Sequence, residues 1–303
     1  INLKRCPEKR KRMIKRMESF PEINYEFYDA IDGQELTPES MDQNNYKILQ
    51  EWTDPFNNRK TTKGEVGCTL SHYNVYKQAL ERSNDITLIL EDDADFSDEF
   101  IDELKNTINH LNGVDWEMCY LGRKKVNTND EEERINDVLL YPSYSYWTIG
   151  YLITKSFCKN VIQSNLLQNI IVIDEYLSLV GDCSEYKKYR KYYDNTIKMV
   201  SVDCNIIFPE KDAFKNSDTE ISSYLPNNRS ELLVLTVATD ENEPLKRFIH
   251  SCNNYGLRYK VLGLDYEWTG GNMSKGPGGG MKLNLLKKEL MDYNQDDIIL
   301  FSD

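Results

Sequence analysis

Residues 86–96 read ITLIL-EDDADF: five β-branched or leucine residues, then Glu91, Asp92, Asp93 and, one residue on, Asp95. The apolar run sits between the turn-prone Asn84-Asp85 and the acidic cluster, which predicts a central strand buried on both faces. In open α/β sheets, ligands lie at the carboxyl ends of strands, so a site is expected where the carboxylates begin. Packing them together costs like-charge repulsion that a divalent cation offsets. With oxygen ligands only, the cluster favours Mn²⁺ or Mg²⁺ over Zn²⁺. Such an ion bridges the diphosphate of a nucleotide and stabilises the charge of the departing group. The same residues also suit a solvated acidic loop leading into a helix capped by Ser97, and their place directly after an apolar strand favours the site.

Working outward, SDEFIDELKNTINHL (97–111) has acidic residues in its first turn and Phe100, Ile101, Leu104 and Ile108 at helical spacing. GEVGCTLSHYNVYKQALERS predicts a helix over roughly 64–82. INL and YEFYDAIDG read as strands around a helix bearing Lys9, Arg10, Arg12, Lys15 and Arg16. WEMCYLG and SYWTIGYLIT read as further strands, each followed by a loop or helix, so the alternation predicts an α/β sheet with much parallel pairing. Residues 209–230 are polar and carry two prolines, as a linker does. The pattern then restarts as βαβαβ and stops at its third strand, from which the parent chain is expected to continue.

Length and charge limit the rest. At 303 residues and 35.5 kDa the chain exceeds one comfortable core. Its net charge of −13 repels a phosphate backbone and argues against sequence-independent nucleic-acid binding. No stretch approaches the length of a membrane-spanning helix, and the first residues lack the apolar centre of a signal peptide. Seven scattered cysteines, with no CxxC, read mainly as buried thiols, with one or two disulfides if the protein is secretory. His72, His110 and His250 stand far apart, so no zinc site is expected. His72 reads as a hydrogen-bonded core histidine, and Tyr146 and Trp147 as strand aromatics of the core or as a stacking surface for a sugar.

The ordered motifs INLKRCPEKR, YDAIDG, GEVGCTLSHYNVYKQ, LILEDDADF, YLGR, SYWTIGYLITK, VIDEYLSLV and FKNSDTEISS resemble glycosyltransferase family 25 over about residues 1–226. The details YLGRKK, SYWTIGY and SDTEISS resemble its procollagen galactosyltransferase branch more than its lipooligosaccharide branch. The resemblance implies a GT-A fold, Rossmann-like and binding a nucleotide sugar, and inverting transfer of galactose from UDP-galactose to hydroxylysine of collagen or a collagen-like polypeptide, with Mn²⁺. A glycan acceptor, or a non-catalytic UDP-sugar-binding module, is the alternative. ELLVLTVATDENEPLKRF, VLGLDYEW, GGGMKLNLLKKEL and DIILFSD resemble the start of the glucosyltransferase domain of procollagen lysyl hydroxylases, whose metal motif would begin at Asp303. A fusion of this kind is similar to large-virus collagen-modifying enzymes. The implied domains are 1–228, and 229–303 as the N-terminal half of a second α/β GT-A-like domain, truncated and so expected to transfer no glucose. The implied compartment is the endoplasmic reticulum lumen, or a host cell or virion, and the oligomeric state stays open.

Carried onto this chain, the family pattern makes Asp93 a metal ligand, Asp92 a second ligand or ribose contact, and Glu91 a neighbour on the donor side. Asp95 departs from the collagen branch. Asp174 and Glu175 match an Asp-Glu pair before a helix. Among Ile171, Val172, Ile173 and Tyr176, a carboxylate there has the raised proton affinity of a base, against the plainer role of stabilising a helix start. The two are not separable by sequence. Asp218, with Glu220, offers a further metal ligand or a capping box with Ser217. Asn2, Arg5 and Arg12 are candidates for nucleotide contact or for a solvated basic face. Lys282, after a run of glycines, would pair with a diphosphate in the resembled enzyme.

Overall fold

A computed structural model of the chain describes residues 1–55, 59–210, 232–238, 240–254, 257–264, 279–290 and 298–302. The chain divides into two compact units, Ile1–Trp52 with Thr61–Ser222 and Thr53–Lys60 with Ser223–Asp303. The helices and strands of the first are, in chain order, α1 (Pro7–Met17), α2 (Pro38–Gln43), α3 (Lys63–Glu81), β1 (Ile86–Leu90), β2 (Ala94–Phe96), α4 (Phe100–Leu111), β3 (Met118–Lys125), β4 (Leu139–Leu140), β5 (Ser145–Thr154), α5 (Lys155–Gln163), α6 (Ile173–Val180), β6 (Met199–Val202) and β7 (Ile207–Pro209).

Five strands form one sheet in the order β1-β5-β3-β6-β4, and β2 pairs with β7 beside it. The pleat of β3 sorts its side chains between two cores. Met118 and Tyr120 join the core that holds Tyr76 of α3, Phe157 of α5 and Tyr176 of α6. Cys119 and Leu121 join the one that holds Met13 of α1 and Phe100 of α4. Helix α3 starts in a capping box, the Thr62 hydroxyl accepting from the Glu65 amide and the Glu65 carboxylate from that of Thr62.

Several expectations change. Strand β1 lies at the edge of the described sheet, and only Ile89 of its five residues is fully buried. The buried central strand is β3, because the ten-residue β5 inserts antiparallel between β1 and β3. Among the described strands of this sheet, only β3 and β6 are parallel neighbours, although β1, β3 and β6 run the same way. INL and YEFYDAIDG contribute an isolated bridge, Asn2 to Asp29, and no strand. Ser97 is not the cap of α4; the helix begins after Glu99, and the Ser97 hydroxyl donates to Glu103.

Gly122 and Gly150 face each other across β3 and β5, and Ile207 of β7 closes over both. A Cβ on Gly122 lies 2.2 Å from the Ile207 carbonyl oxygen, whereas one on Gly150 first meets the Ile207 side-chain tip at 2.4 Å. Backbone yields less than a rotamer. Gly122→Ala is expected to cost about 3 kcal/mol, at the upper end of overpacking, and Gly150→Ala less; urea unfolding of both variants checks the order.

The second unit contains β8 (Leu232–Val237), α7 (Glu243–Asn254), β9 (Arg258–Leu262), α8 (Gly279–Leu290) and β10 (Ile298–Phe301). Its three described strands are all parallel in the order β10-β8-β9, as two βαβ crossovers require. These are the five elements read from the sequence. No helix among the described residues is long and apolar enough to cross a membrane.

Candidate active site

The acidic tripeptide forms the turn between β1 and β2. Its backbone is held from two sides: the Glu91 amide donates to Ile149 of β5 (3.0 Å), and the Asp93 carbonyl accepts from the Glu210 amide just after β7 (2.7 Å). Glu210 in turn pairs with Arg12 and Arg16 of α1, fixing that helix beside the turn.

The three carboxylates have different surroundings. Asp92 is already partnered at both oxygens, by the Asn2 amide at 2.7 Å and by Lys9 at 3.6 Å. Burial raises its proton affinity and these two partners oppose the rise. Glu91 accepts at Oε1 from the Thr148 hydroxyl (2.5 Å) and from His72 Nε2 (3.2 Å). Burial disfavours its charge, but these contacts outweigh burial and hold its carboxyl below the usual range. Asp93 has a buried Oδ1 with no hydrogen-bond partner. Burial, with the charges of Glu91 and Asp92, pushes its pKa up to about 7. A buried carboxylate oxygen with nothing to accept from fits a cation ligand.

A bulge in β5 assembles the rest. Gly122 pairs with Gly150 and Lys124 with Tyr146, so Trp147, Thr148 and Ile149 stand opposite Arg123 alone. Trp147 takes a left-handed backbone, φ 81°, which a bulky residue adopts only under constraint. The distortion turns its amide onto Asp174 (3.3 Å) and the next residue's hydroxyl onto Glu91. Asp174, in the first turn of α6, also accepts from the Glu175 amide (2.8 Å), so it satisfies a first-turn amide of the helix as well as accepting from Trp147. Burial lifts its pKa from 3.8 to about 7 despite these two amides, with Glu65 and Glu91 adding to the rise. Glu175 is buried and accepts from the Tyr144 hydroxyl at 2.5 Å.

Helix α3 closes the site. Thr69 donates to the Ile171 carbonyl (2.7 Å), tying α3 to the segment before α6. His72, 1 % exposed, spans from Glu91 to the Tyr151 hydroxyl (2.7 Å), which in turn bonds to Tyr76 (2.7 Å). It is a hydrogen-bonded core histidine that also touches the acidic turn. Cys68, one turn earlier, brings its sulfur within 4.8 Å of ligand atoms of His72 and Glu91. Sequence reasoning read His72 as a core histidine and Cys68 as one of the scattered thiols without joining them, although their spacing of four on a helix was the available signal.

The remaining candidates lie as follows. Asn2 is buried and holds Asp92 and the Cys6 carbonyl (3.3 Å). Arg5 pairs with Asp32 at 2.6 Å. Asp95 pairs with Arg16 at 3.3 Å. Lys282 lies on α8 of the second unit. Asp218 and Glu220 lie outside the described residues. Lys9, legible only as part of a basic helix face, is a direct partner of Asp92. None of the seven cysteines forms a disulfide among the described residues.

Glycosyltransferase family 25 (LPS biosynthesis protein) matches residues 1–177, and the PLOD GT domain matches residues 228–303. Procollagen galactosyltransferase 2 of Homo sapiens is 32 % identical over 248 residues, 79 % of this chain and 38 % of its own length. Procollagen lysyl hydroxylase and glycosyltransferase of Acanthamoeba polyphaga mimivirus is 31 % identical over 285 residues, 86 % of this chain and 31 % of its own length. A glycosyltransferase 25 family member of Drosophila melanogaster is 35 % identical over 184 residues, 60 % of this chain and 30 % of its own length. The chain thus spans two fifths or less of these relatives. Its mixed α/β architecture is consistent with a GT-A-like domain. The match covers 177 of 303 residues and includes the acidic turn, the β5 bulge and the start of α6, so the chain belongs to glycosyltransferase family 25.

Proposed function

We propose that the first unit transfers galactose from UDP-galactose to hydroxylysine of collagen or a collagen-like polypeptide. The observation that carries this reading is a pair of partly buried carboxylates with raised pKa, each feeling the charge of Glu91: Asp93 with its unpartnered oxygen, and Asp174 at the start of α6. Asp93 is the residue suited to hold Mn²⁺, with Asp92 beside it and already bound by Asn2 and Lys9. When bound, the ion supplies electrophilic stabilisation of the departing diphosphate. Asp174 takes the proton of the acceptor hydroxyl. A carboxylate with a pKa of about 7 is half ionised at neutral pH and still basic enough for that task. The Trp147 and Glu175 amides keep its oxygens oriented. Glu175, buried under the Tyr144 hydroxyl, supports α6.

The relatives' names favour a collagen acceptor over a glycan, and the name of the human procollagen galactosyltransferase carries the choice of galactose. The compartment that goes with this reading is the endoplasmic reticulum lumen, or a host cell or virion. The test is UDP release from UDP-galactose and from UDP-glucose, with Mn²⁺, against a hydroxylysine-containing collagen peptide and a lactose-type acceptor. Release that needs both galactose donor and collagen peptide is the expected result. Release with lactose alone moves the acceptor to a glycan, and UDP binding without acceptor-dependent release makes the unit a binding module.

A further inference from the structure

We propose that Cys68, His72 and Glu91 form a second cation site, selective for Zn²⁺ and like ions over Mn²⁺ and Mg²⁺. Residues 68 and 72 lie four apart on α3 and so on one face, and the acidic turn brings Glu91 to them from β1. The three ligand atoms lie within 4.8 Å of one another, His72 Nε2 and Glu91 Oε1 at 3.2 Å. Tetrahedral zinc with sulfur at about 2.3 Å and nitrogen or oxygen at about 2.0 Å sets its ligand atoms roughly 3.3–3.6 Å apart. The set therefore closes with a shift of about 1 Å at the thiol, and a fourth position is left for water, as in zinc sites with three protein ligands.

A second, independent feature is the support behind the imidazole. Metal-bound histidines characteristically have their other ring nitrogen fixed by a hydrogen bond. His72 Nδ1 is held by Tyr151, itself held by Tyr76, all three being buried. The Thr148 hydroxyl likewise fixes the Glu91 carboxylate. The local field completes the case: the Cys68 thiol is partly enclosed, and burial together with the charges of Glu91, Asp174, Glu65 and Asp93 keeps it protonated. The same field attracts a dication, and coordination ionises the thiol, its proton leaving to solvent. Thiolate and imidazole are poor ligands for Mn²⁺ and Mg²⁺, which leaves those ions to the oxygen-only side of the turn.

The test uses the full chain, freed of metal and kept reduced, titrated with Co²⁺ in excess Mg²⁺. One equivalent is expected to give a thiolate-to-cobalt charge-transfer band with d–d bands of tetrahedral intensity, all displaced by Zn²⁺. Cys68→Ser abolishes the charge-transfer band, His72→Asn weakens binding at least about tenfold, and Cys204→Ser, which removes an exposed thiol, changes nothing. No charge-transfer band at one equivalent, or a band that survives Cys68→Ser, overturns the site. Should Cys68→Ser unfold, X-ray absorption of the wild type with one equivalent of Zn²⁺ decides: one sulfur neighbour at about 2.3 Å is expected if the site exists, and a shell of nitrogen and oxygen alone refutes it. None of these readouts depends on sugar transfer, so failure here and failure of the proposed reaction are distinct results.

Discussion

Asp93→Ala is expected to lower acceptor-dependent UDP release by at least about 10³-fold while the chain stays folded. A bound dication stabilises the departing diphosphate by several kcal/mol, and each tenfold in rate corresponds to about 1.4 kcal/mol, so losing its best ligand accounts for a loss of that size. The fold does not depend on this carboxylate. Its Oδ1 has no partner, and the turn is pinned through backbone, by the Glu210 amide on the Asp93 carbonyl and the Glu91 amide on Ile149. Removing a buried charge that repels Glu91 and Asp92 leaves the thermal midpoint no lower than in the wild type. Asp92→Ala contrasts with it. That substitution strips partners from Asn2 and Lys9 and is expected to cost about 1–3 kcal/mol of stability. Turnover retained within tenfold in a folded Asp93→Ala protein sinks the metal-ligand assignment.

Asp174→Asn carries the second large effect, a loss of about 10²–10⁴-fold in kcat, the range for removing a general base. Wild-type turnover is expected to rise with pH through about 7, where Asp174 ionises, and the residual activity of the variant to lose that limb. Stability moves the other way. The native pKa lies above the unfolded value of 3.8, so between about 4 and about 7 the folded state binds the extra proton. The stabilising contribution is full below about 4 and is lost as pH rises to about 7. Asparagine never ionises, so at pH 8 the variant is expected to melt at least about 3 °C higher than the wild type, on roughly 2–4 °C per kcal/mol for a unit of this size. The two midpoints converge near pH 4. A flat wild-type pH profile, or an Asp174→Asn protein that turns over normally, removes Asp174 from the chemistry and returns the role to Glu175.

Patterns carried by neighbours in the chain are legible in the residues alone. The helical spacing of 64–82 and 97–111, the apolar run 86–90 and the βαβαβ restart after residue 230 all reappear as elements, because each rests on local periodicity and capping. The acidic tripeptide announced a site by following a strand directly, and the Asp-Glu pair by opening a helix. Strand neighbours are another matter. The run 86–90 has the composition of a central strand and stands at the sheet's edge, because β5 pairs antiparallel between it and β3.

Sequence determined the family, the α/β alternation, the carboxylates and the order in which they come. Tertiary structure decided which carboxylate does what. Asp92 and Asp93 are adjacent and chemically identical, yet Asn2 and Lys9 reach one of them and leave an oxygen of the other bare. Asp174 rather than Glu175 faces the site amide because a bulge three residues wide twists Trp147 into a left-handed backbone, and no residue type at 147 announces that. Cys68 and His72 meet Glu91 only because the fold brings α3 alongside the acidic turn that follows β1. Proton affinity, free ligand capacity and ligand sets all depend on groups close in space and far apart in sequence, so they are fixed by the packed fold and not by the chain's local order.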